Sequence, residues 1–148
     1  MQTYISFTKK GLFVIFAAIF CVCFIFCEIS AVSIQNKNAD TNGERLTFIK
    51  NLGYEVTDNQ PTTKTVNIPE VFYDVYENYN NIQKKADYDL SAYKGCEVII
   101  YTYQIAPFGD NADECVLNLI VYNDKIIGGD VSSVSLGGVM LPLKRVID

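Results

Sequence analysis

One uninterrupted hydrophobic run constrains this 148-residue chain more than any other feature, because it has to be placed before anything else can fold. Residues 12–27 are sixteen consecutive apolar side chains, and a mostly apolar stretch continues beyond Glu28. As a helix, residues 12–27 measure roughly 24 Å, and extension to residue 34 brings the length to roughly 35 Å. Since a bilayer core is about 30 Å thick, the sequence predicts a transmembrane anchor at residues 11–34.

The charges that flank this run predict its orientation. Lys9 and Lys10 come directly before it, and positive residues favour the cytoplasmic side, so residues 1–10 are expected inside and the rest of the chain outside. One alternative is a signal peptide cleaved near Ser33 and a secreted product, because residues 31–33 resemble a small-x-small cleavage site. The sequence therefore predicts a single-pass cell-membrane protein with an exported C-terminal part.

The cysteines of the run leave a third possibility, a lipid-modified cysteine. Large residues precede Cys21, Cys23 and Cys27 where such a signal would place a small one, and no fourth metal ligand is near. Polarizable, inert side chains facing lipid are the favoured interpretation.

The exported part is acidic and long enough for one domain. Beyond residue 33 the chain carries 10 Lys and Arg against 16 Asp and Glu, a balance that repels phosphate backbones, so nucleic-acid binding is not expected. Residues 35–43 are polar and end in Gly, which predicts a flexible linker. Residues 44–148 then predict a single extracytoplasmic domain.

Hydrophobic periodicity predicts an α+β domain, an antiparallel β-sheet packed against an amphipathic helix. A short helix carries Leu46 and Ile49 and stops at Gly53, and short strands are expected at residues 54–57 and 63–69. The amphipathic helix is predicted at residues 69–86, since one arc is apolar and the other polar. The apolar arc contains Phe72, Val75, Tyr76, Tyr79, Ile82 and Ala86.

Two hairpins complete the predicted sheet. A symmetric first hairpin pairs Ile105 with Glu114, and the turn Asn123-Asp124 pairs Tyr122 with Lys125, since both turn residues tolerate positive φ. The tail is expected to add a short edge strand that Pro142 limits. In this register Cys96 and Cys115 lie roughly 26 Å apart, too far for a disulfide.

Alternation assigns the faces of the sheet in that register. One face, expected under the amphipathic helix, contains Val98, Ile100, Thr102, Leu117, Leu119, Val121 and Ile126. The other contains Ile99, Tyr101, Tyr103, Val116, Asn118, Ile120, Tyr122, Ile127 and Gly129. A shift of one residue would exchange partners between the faces.

The second face supplies the predicted binding residues. Tyr101, Tyr103, Asn118 and Tyr122 form a Tyr/Asn-rich surface, a composition that binds proteins or sugars at low entropic cost. The alternative, which is favoured, is that this face is core covered by the helix around Leu46 and Ile49.

The absence of histidine excludes Ser-His-Asp and Cys-His catalysis and imidazole metal sites. No phosphate loop, dinucleotide glycine pattern or complete calcium loop is present, so no catalytic residue, metal or cofactor is predicted. Asp130, which follows two glycines on the helix-facing side, is a ligand candidate, although bonding to backbone, Ser132 or Ser133 is favoured. Residues 109–114 are acidic enough to offer oxygens to Ca²⁺, with a plain loop favoured. Glu97, Asp113 and Asp130 are the conceivable members of a glycosidase pair.

The segments "IPEVFYDVYENYNNIQKKADYDLSAYKGCEVIIYTYQI" and "NLIVYNDKIIGGDVSSVSLGGVM" resemble a family known as a domain of unknown function, number 4830. The resemblance covers about residues 45–140, and its most specific parts are "YDLSAYKG" and "LIVYNDKIIGGDV". It implies a small bacterial protein with an extracytoplasmic domain behind one membrane segment, and it transfers no catalytic residue.

The sequence thus favours a non-catalytic module that binds an envelope protein or a cell-wall component. A carboxylate-based hydrolase of cell-wall or sugar substrates and a small-ligand or Ca²⁺ sensor stay open as alternatives.

Overall fold

The second half of the chain is rich in β-branched and aromatic residues, and it forms most of one antiparallel sheet. The computed structural model describes residues 37–107, 114–135 and 138–144. Five strands lie in the order in which the chain makes them, each antiparallel to the next. They are β1 (Thr62–Asn67), β2 (Glu97–Ile105), β3 (Cys115–Tyr122), β4 (Lys125–Ser133) and β5 (Met140–Pro142).

Two α-helices and one 3₁₀ helix accompany the sheet within these ranges: α1 (Asn42–Asn51), α2 (Asp74–Lys84) and the 3₁₀ helix (Leu90–Tyr93). The predicted antiparallel α+β architecture is therefore confirmed for this part of the chain. The anchor predicted at residues 11–34 lies outside the described residues. Within them, no helix has both the length and the apolar character needed to cross a bilayer.

Local sequence determines where α1 begins and ends. The Thr41 hydroxyl accepts from the Glu44 backbone N–H, and the Glu44 carboxylate accepts from the Thr41 N–H, so two end donors are satisfied together. At the other end, Gly53 has φ of 92° and donates to the Lys50 carbonyl, which confirms the predicted glycine stop.

Part of the predicted linker belongs to the folded unit. The Ala39 N–H donates to the Asp124 carbonyl and the Ile126 N–H to the Lys37 carbonyl, both at 2.8 Å, and Ala39 is buried. Residues 37–39 thus lie along the turn between β3 and β4, and the compact unit begins at Lys37. The polar composition of this segment indicated flexibility, but its backbone groups found partners that composition does not reveal.

Two of the three short strands predicted from the sequence are present. The strand predicted at residues 63–69 is β1, and the short edge strand at Pro142 is β5. The strand predicted at residues 54–57 is reduced to a single bridge between Val56 and Ile105.

The first hairpin is shifted by one residue from its prediction, whereas the second is as predicted. Tyr122 pairs with Lys125, and Asn123 and Asp124 have φ of 46° and 60°. Ile105, however, pairs with Cys115, not with Glu114. The observed pairing places Leu117 opposite Tyr103 on one face, which makes that face continuously apolar. Burial of that face outweighs the symmetric loop on which the prediction relied.

A β-bulge corrects this shift in the next strand. The pairing of β3 with β4 changes register between Ile120 and Val121, so β4 carries one extra residue at this point. As a result Asp130 pairs with Asn118 and lies on the predicted, helix-facing side. The one-residue shift in the first hairpin and the one-residue bulge therefore cancel, and Asp130 lies on the face that the sequence predicts.

Both faces of the sheet are covered. On the first, termed the α1 face, α1 packs through Ile49 on Tyr103, Ile105, Leu117, Leu119, Val121 and Val131. On the second, termed the α2 face, Phe72, Tyr79 and Leu90 pack on Val98, Ile120 and Ile127. The β2 residues expected under the amphipathic helix are there, while Leu117, Leu119, Val121 and Ile126 belong to the opposite face.

Cys96 and Cys115 lie where the sequence predicts, at opposite ends of β2. Cys96 immediately precedes the strand, and Cys115 pairs with its last residue, Ile105. They are not joined to each other, as expected.

Candidate functional site

A row of apolar side chains at the start of α2 is exposed to solvent. The exposed fractions are 54% for Val71, 76% for Tyr73, 79% for Val75 and 37% for Tyr76. These four residues are termed the apolar ridge. Scattered single apolar residues are normal on a surface, but four large ones within six positions form a patch that needs a reason.

The ridge is exposed because α2 is shorter than its periodicity predicts and turns a different side toward the sheet. The helix begins at Asp74 instead of residue 69, and its N-cap, Tyr73, makes no side-chain capping bond. Val75, predicted on the buried arc, faces solvent, while Asn80 and Gln83 are buried in its place. Tyr76 keeps a ring contact with Phe72 at 5.6 Å between centroids.

Two buried amides account for this rotation. The Gln83 Oε1 accepts from the Gly129 N–H at 2.8 Å, and the Asn80 Oδ1 accepts from the Leu90 N–H at 2.8 Å. The Asn80 Nδ2 donates to Asp89 at 2.9 Å, and bonds from Asn80 and Ser91 lower the pKa of that carboxyl to about 2. Since an unpaired buried backbone N–H is costly, the bonds to the Gly129 and Leu90 N–H groups outweigh burial of Val75, even though the Gln83 Nε2 is buried without a partner among the described residues.

Acidic side chains surround the ridge. Glu70, Asp74 and Glu77 are exposed and alternate with its members, and residues 65–83 contain neither Lys nor Arg. Acidic residues in the first turn of a helix interact favourably with the helix dipole, which explains in part why Asp74 and Glu77 occur there. A cation does contact the neighbouring Phe72, since the Lys94 Nζ lies 4.7 Å from the centre of its ring.

A polar network lies on the α2 face, centred on Asp130, which is only 2% exposed. Its carboxylate accepts from the Tyr79 hydroxyl at 2.8 Å, the Asn118 amide at 3.0 Å and the Ser132 hydroxyl at 2.6 Å. Thr102 donates to the Asn118 Oδ1 at 2.6 Å. Burial and the Asp130 charge together raise the pKa of Tyr79 well above its usual value.

The α1 face holds a buried charge of the opposite sign. Arg45 is 6% exposed, its Nε donates to the Tyr103 hydroxyl at 3.0 Å, and its Nη1 donates to the carbonyls of Ala39 and Asp40. Its guanidinium stacks on Tyr101 at 3.8 Å from the ring centre. Within the described residues it forms no ion pair with a carboxylate, so two carbonyls, the Tyr103 hydroxyl and the Tyr101 ring offset its desolvation.

The structure does not bring the four predicted partner-binding residues together. Tyr103 is fully buried under α1 and donates to Asn42, and Tyr101 is half-buried beneath Arg45. Asn118 and Tyr122 lie on the α2 face, Asn118 in the network and Tyr122 beside Tyr93. This geometry corresponds to the core alternative for the two tyrosines of β2.

The structure also separates two of the carboxylates considered for glycoside hydrolysis. Glu97 pairs with Asn67 on the α1 face, while Asp130 lies on the α2 face, so these two do not flank one cleft. Asp113 lies outside the described residues. In the ranges that the structure describes, no three Asp, Glu or Cys residues are grouped as metal ligands.

The burial of Arg45, Asn80 and Gln83 was not predicted from the sequence, although their spacing along the helices gave an indication. Arg45 lies four positions before Ile49, and Gln83 four after Tyr79, so each shares a buried helix face. Asn80 lies beside that second face. Their polar identity argued for solvent, and only their partners in other elements explain why they are inside.

The sequence matches one known protein family. A family model described as Domain of unknown function (DUF4830) matches residues 45–131, more than half of the chain. The chain belongs to the DUF4830 family. The match confirms the predicted family and includes Arg45, the ridge, Asn118 and Asp130, whereas β5 and Ser132 follow it. No curated protein and no solved structure was found to match this DUF4830 chain.

Proposed function

We propose that this DUF4830 protein is a non-catalytic, membrane-anchored binding protein that holds another protein of the cell envelope against its apolar ridge. The apolar run and the two lysines before it support a single span with the domain outside. The domain would then meet its partner beyond the membrane.

The exposure of the ridge is the observation that carries this proposal. Tyr73 and Val75 are more exposed than any other large apolar residue within the described ranges. Interfaces commonly rely on a few aromatic and aliphatic anchors, tyrosine prominent among them, that become desolvated on binding. A ridge bearing two tyrosines supplies such anchors at low entropic cost.

The acidic side chains around the ridge limit which kind of protein can bind there. With Glu70, Asp74 and Glu77 around the ridge, a partner that presents an apolar centre and a basic rim is complementary. Such a pair associates more slowly as salt rises, because exposed charges are screened beyond about 10 Å at 0.1 M salt.

A matched pair of substitutions tests the ridge. Full-length Val75→Ser and Val134→Ser each remove one exposed valine, 79% and 59% exposed respectively, but only Val75 belongs to the ridge. After crosslinking in membranes, we expect the crosslinked partner to fall about tenfold for Val75→Ser and to stay at the wild-type level for Val134→Ser. Equal loss from both variants, or from neither, contradicts docking at the ridge.

The location is tested separately. A protease added to intact cells is expected to digest the domain while a cytoplasmic protein in the same cells survives. Protection of the domain until the cells are lysed would place it inside and contradict the anchored, extracytoplasmic arrangement.

A further inference from the structure

The described sheet has two outer strands of unequal length, β1 and β5. β5 is three residues long and ends in Pro142, which has no N–H to offer to a further strand. β1 is six residues long and contains no proline, and five of its six residues are exposed. An edge of this kind is a template on which another strand can pair, so β1 is the better candidate for such pairing.

The register shows which backbone groups of β1 point away from the sheet. In an antiparallel pair, residues that exchange hydrogen bonds with the neighbouring strand alternate with residues whose N–H and C=O face outward. The Ile68 N–H donates to the Cys96 carbonyl at 2.9 Å, and the register is continuous from there, so the even-numbered residues of β1 bond to β2. Thr63, Thr65 and Asn67 therefore present three N–H and three C=O groups to the outside.

A second set of bonds on the same edge of β2 gives the same alternation. The Thr57 N–H donates to the Gln104 carbonyl and the Ala106 N–H to the Glu55 carbonyl, on either side of Ile105. The odd-numbered residues of β2 consequently do not bond toward this edge, and they are the partners of the three outward residues of β1. Within the described part of the chain, no other group bonds to the outward N–H and C=O groups.

β1 is also a part of this acidic domain where two copies repel each other little. Beyond residue 33 the chain carries 10 Lys and Arg against 16 Asp and Glu, but residues 59–69 contain Lys64 and no acidic side chain. Like charges disfavour contact between copies over much of the remaining surface. Approach of two copies through β1 brings no carboxylate of these residues against another.

From this arrangement we propose that β1 pairs with β1 of a second copy of the chain, antiparallel and with Thr65 opposite Thr65. In this register Thr63 lies opposite Asn67 of the other copy, and all six outward groups of each strand are hydrogen-bonded. Lys64 lies opposite Val66, so the two lysines are not directly paired. A two-fold axis relates the copies, as in most homodimers, and their five-stranded sheets join into one of ten strands.

The pairing should be weak, because its hydrogen bonds replace bonds to water and stable dimers bury more surface than one strand edge supplies. A membrane anchor would hold the copies in one plane and raise their effective concentration, a step that rests on the location proposed above. The two-fold axis is perpendicular to the sheet and keeps both α2 faces on one side of it. The two apolar ridges would consequently lie on the same side of the dimer.

Cysteine crosslinking of the full chain in isolated membranes tests the register. Opposite residues of a bonded pair have Cα atoms about 5.5 Å apart, whereas the two copies of Thr63 would be displaced by four residues and lie roughly 14 Å apart. After oxidation with copper phenanthroline, Thr65→Cys should raise the disulfide-linked homodimer about fivefold above wild type, since its Cα separation allows a disulfide. Thr63→Cys is the matched control and should stay at the wild-type level, which measures the background from the native cysteines.

A second experiment uses two differently tagged copies in the same membrane. One copy carries Thr63→Cys and the other Asn67→Cys, and the proposed register predicts that they link to each other. Thr65→Pro removes an outward N–H but no bond to β2. Added to both copies, it should lower this crosslink about fivefold, while the circular dichroism spectrum stays that of the wild type.

Three results would overturn the proposal. They are no rise above wild type for Thr65→Cys, an equal rise for Thr63→Cys and Thr65→Cys, and linkage of Thr65→Cys to a different protein instead of to itself. The last result would make the edge a docking strand for a partner. These outcomes do not depend on what binds the apolar ridge, which Val75→Ser tests separately.

Discussion

The two faces of the sheet are built on the same plan with opposite charges. Each places one helix over apolar strands and buries one ionised residue among neutral partners, Arg45 on the α1 face and Asp130 on the α2 face. The partners of Arg45 include backbone carbonyls next to α1, whereas those of Asp130 are side chains on α2, β3 and β4.

Local sequence positions the first helix, and tertiary contacts position the second. Thr41, Glu44 and Gly53 specify both ends of α1, while α2 lacks a side-chain cap and is held by Asn80 and Gln83. The α1 face is consequently closed over Tyr103. On the α2 side, by contrast, the apolar ridge projects into solvent from the start of the helix.

The largest expected effect concerns the close approach of the β3 and β4 backbones on the α1 face, where Gly129 pairs with Leu119. A Cβ added at Gly129 would lie 2.3 Å from the Asn118 carbonyl oxygen and 2.8 Å from Leu143, and the backbone atom cannot move aside cheaply. Gly129→Ala should lower the free energy of unfolding by about 3 kcal/mol or prevent folding. Urea denaturation followed by circular dichroism measures this change.

Gly43 is the control for that substitution on the α1 side. Its added Cβ would have no neighbour closer than 4.0 Å, so Gly43→Ala should be neutral or stabilise by up to about 1 kcal/mol. If Gly129→Ala were equally harmless, β4 would not lie as close to the Asn118 carbonyl and Leu143 as described.

Removal of the buried charges compares the faces directly. Arg45→Met leaves the buried Ala39 carbonyl without its side-chain donor, and should cost about 2 to 3 kcal/mol. Asp130→Asn keeps the shape and part of the accepting capacity, and should cost about 1 to 2 kcal/mol. Both values come from urea denaturation at neutral pH.

Glu97→Gln, at an exposed carboxylate, should change stability by less than about 0.5 kcal/mol. A wild-type stability for Arg45→Met would show that the guanidinium is not structural, and would make it a candidate for anion binding instead.

The smallest effect is a difference in alkaline stability. Burial and Asp130 raise the pKa of Tyr79, whereas Arg45 opposes the rise that burial causes for Tyr103. A tyrosine with a raised folded-state pKa contributes stability that is complete below its unfolded value near 10 and is lost as pH rises above it. The free energy of unfolding should therefore fall less at alkaline pH in Tyr79→Phe than in Tyr103→Phe, by up to about 1 kcal/mol at pH 10.5.

Urea midpoints between pH 8 and 10.5 measure this for both variants. A steeper alkaline loss in Tyr79→Phe than in Tyr103→Phe would mean that the two buried charges do not act on the tyrosines with opposite sign.

Much of the fold could be predicted from short-range patterns. The stop at Gly53, the Asn123-Asp124 turn and the short strand at Pro142 each depend on the conformational preference of one or two residues. The candidate site was less accessible. Asp130 was recognised because two glycines precede it, but Tyr79 and Asn118, its partners, come from other elements.

The sequence by itself determined the antiparallel α+β class and the stop of the first helix at Gly53, because these follow from periodicity and local backbone chemistry. The family was identified by resemblance. Only the tertiary structure decided the register of β2 with β3, the bulge that restored Asp130 to its face, and the rotation of α2. The physical reason is that a one-residue shift of a strand or a rotation of a helix about its axis leaves local propensity almost unchanged. What selects among such alternatives is the burial of a whole face and the pairing of groups such as Gln83 and Gly129, which are 46 residues apart.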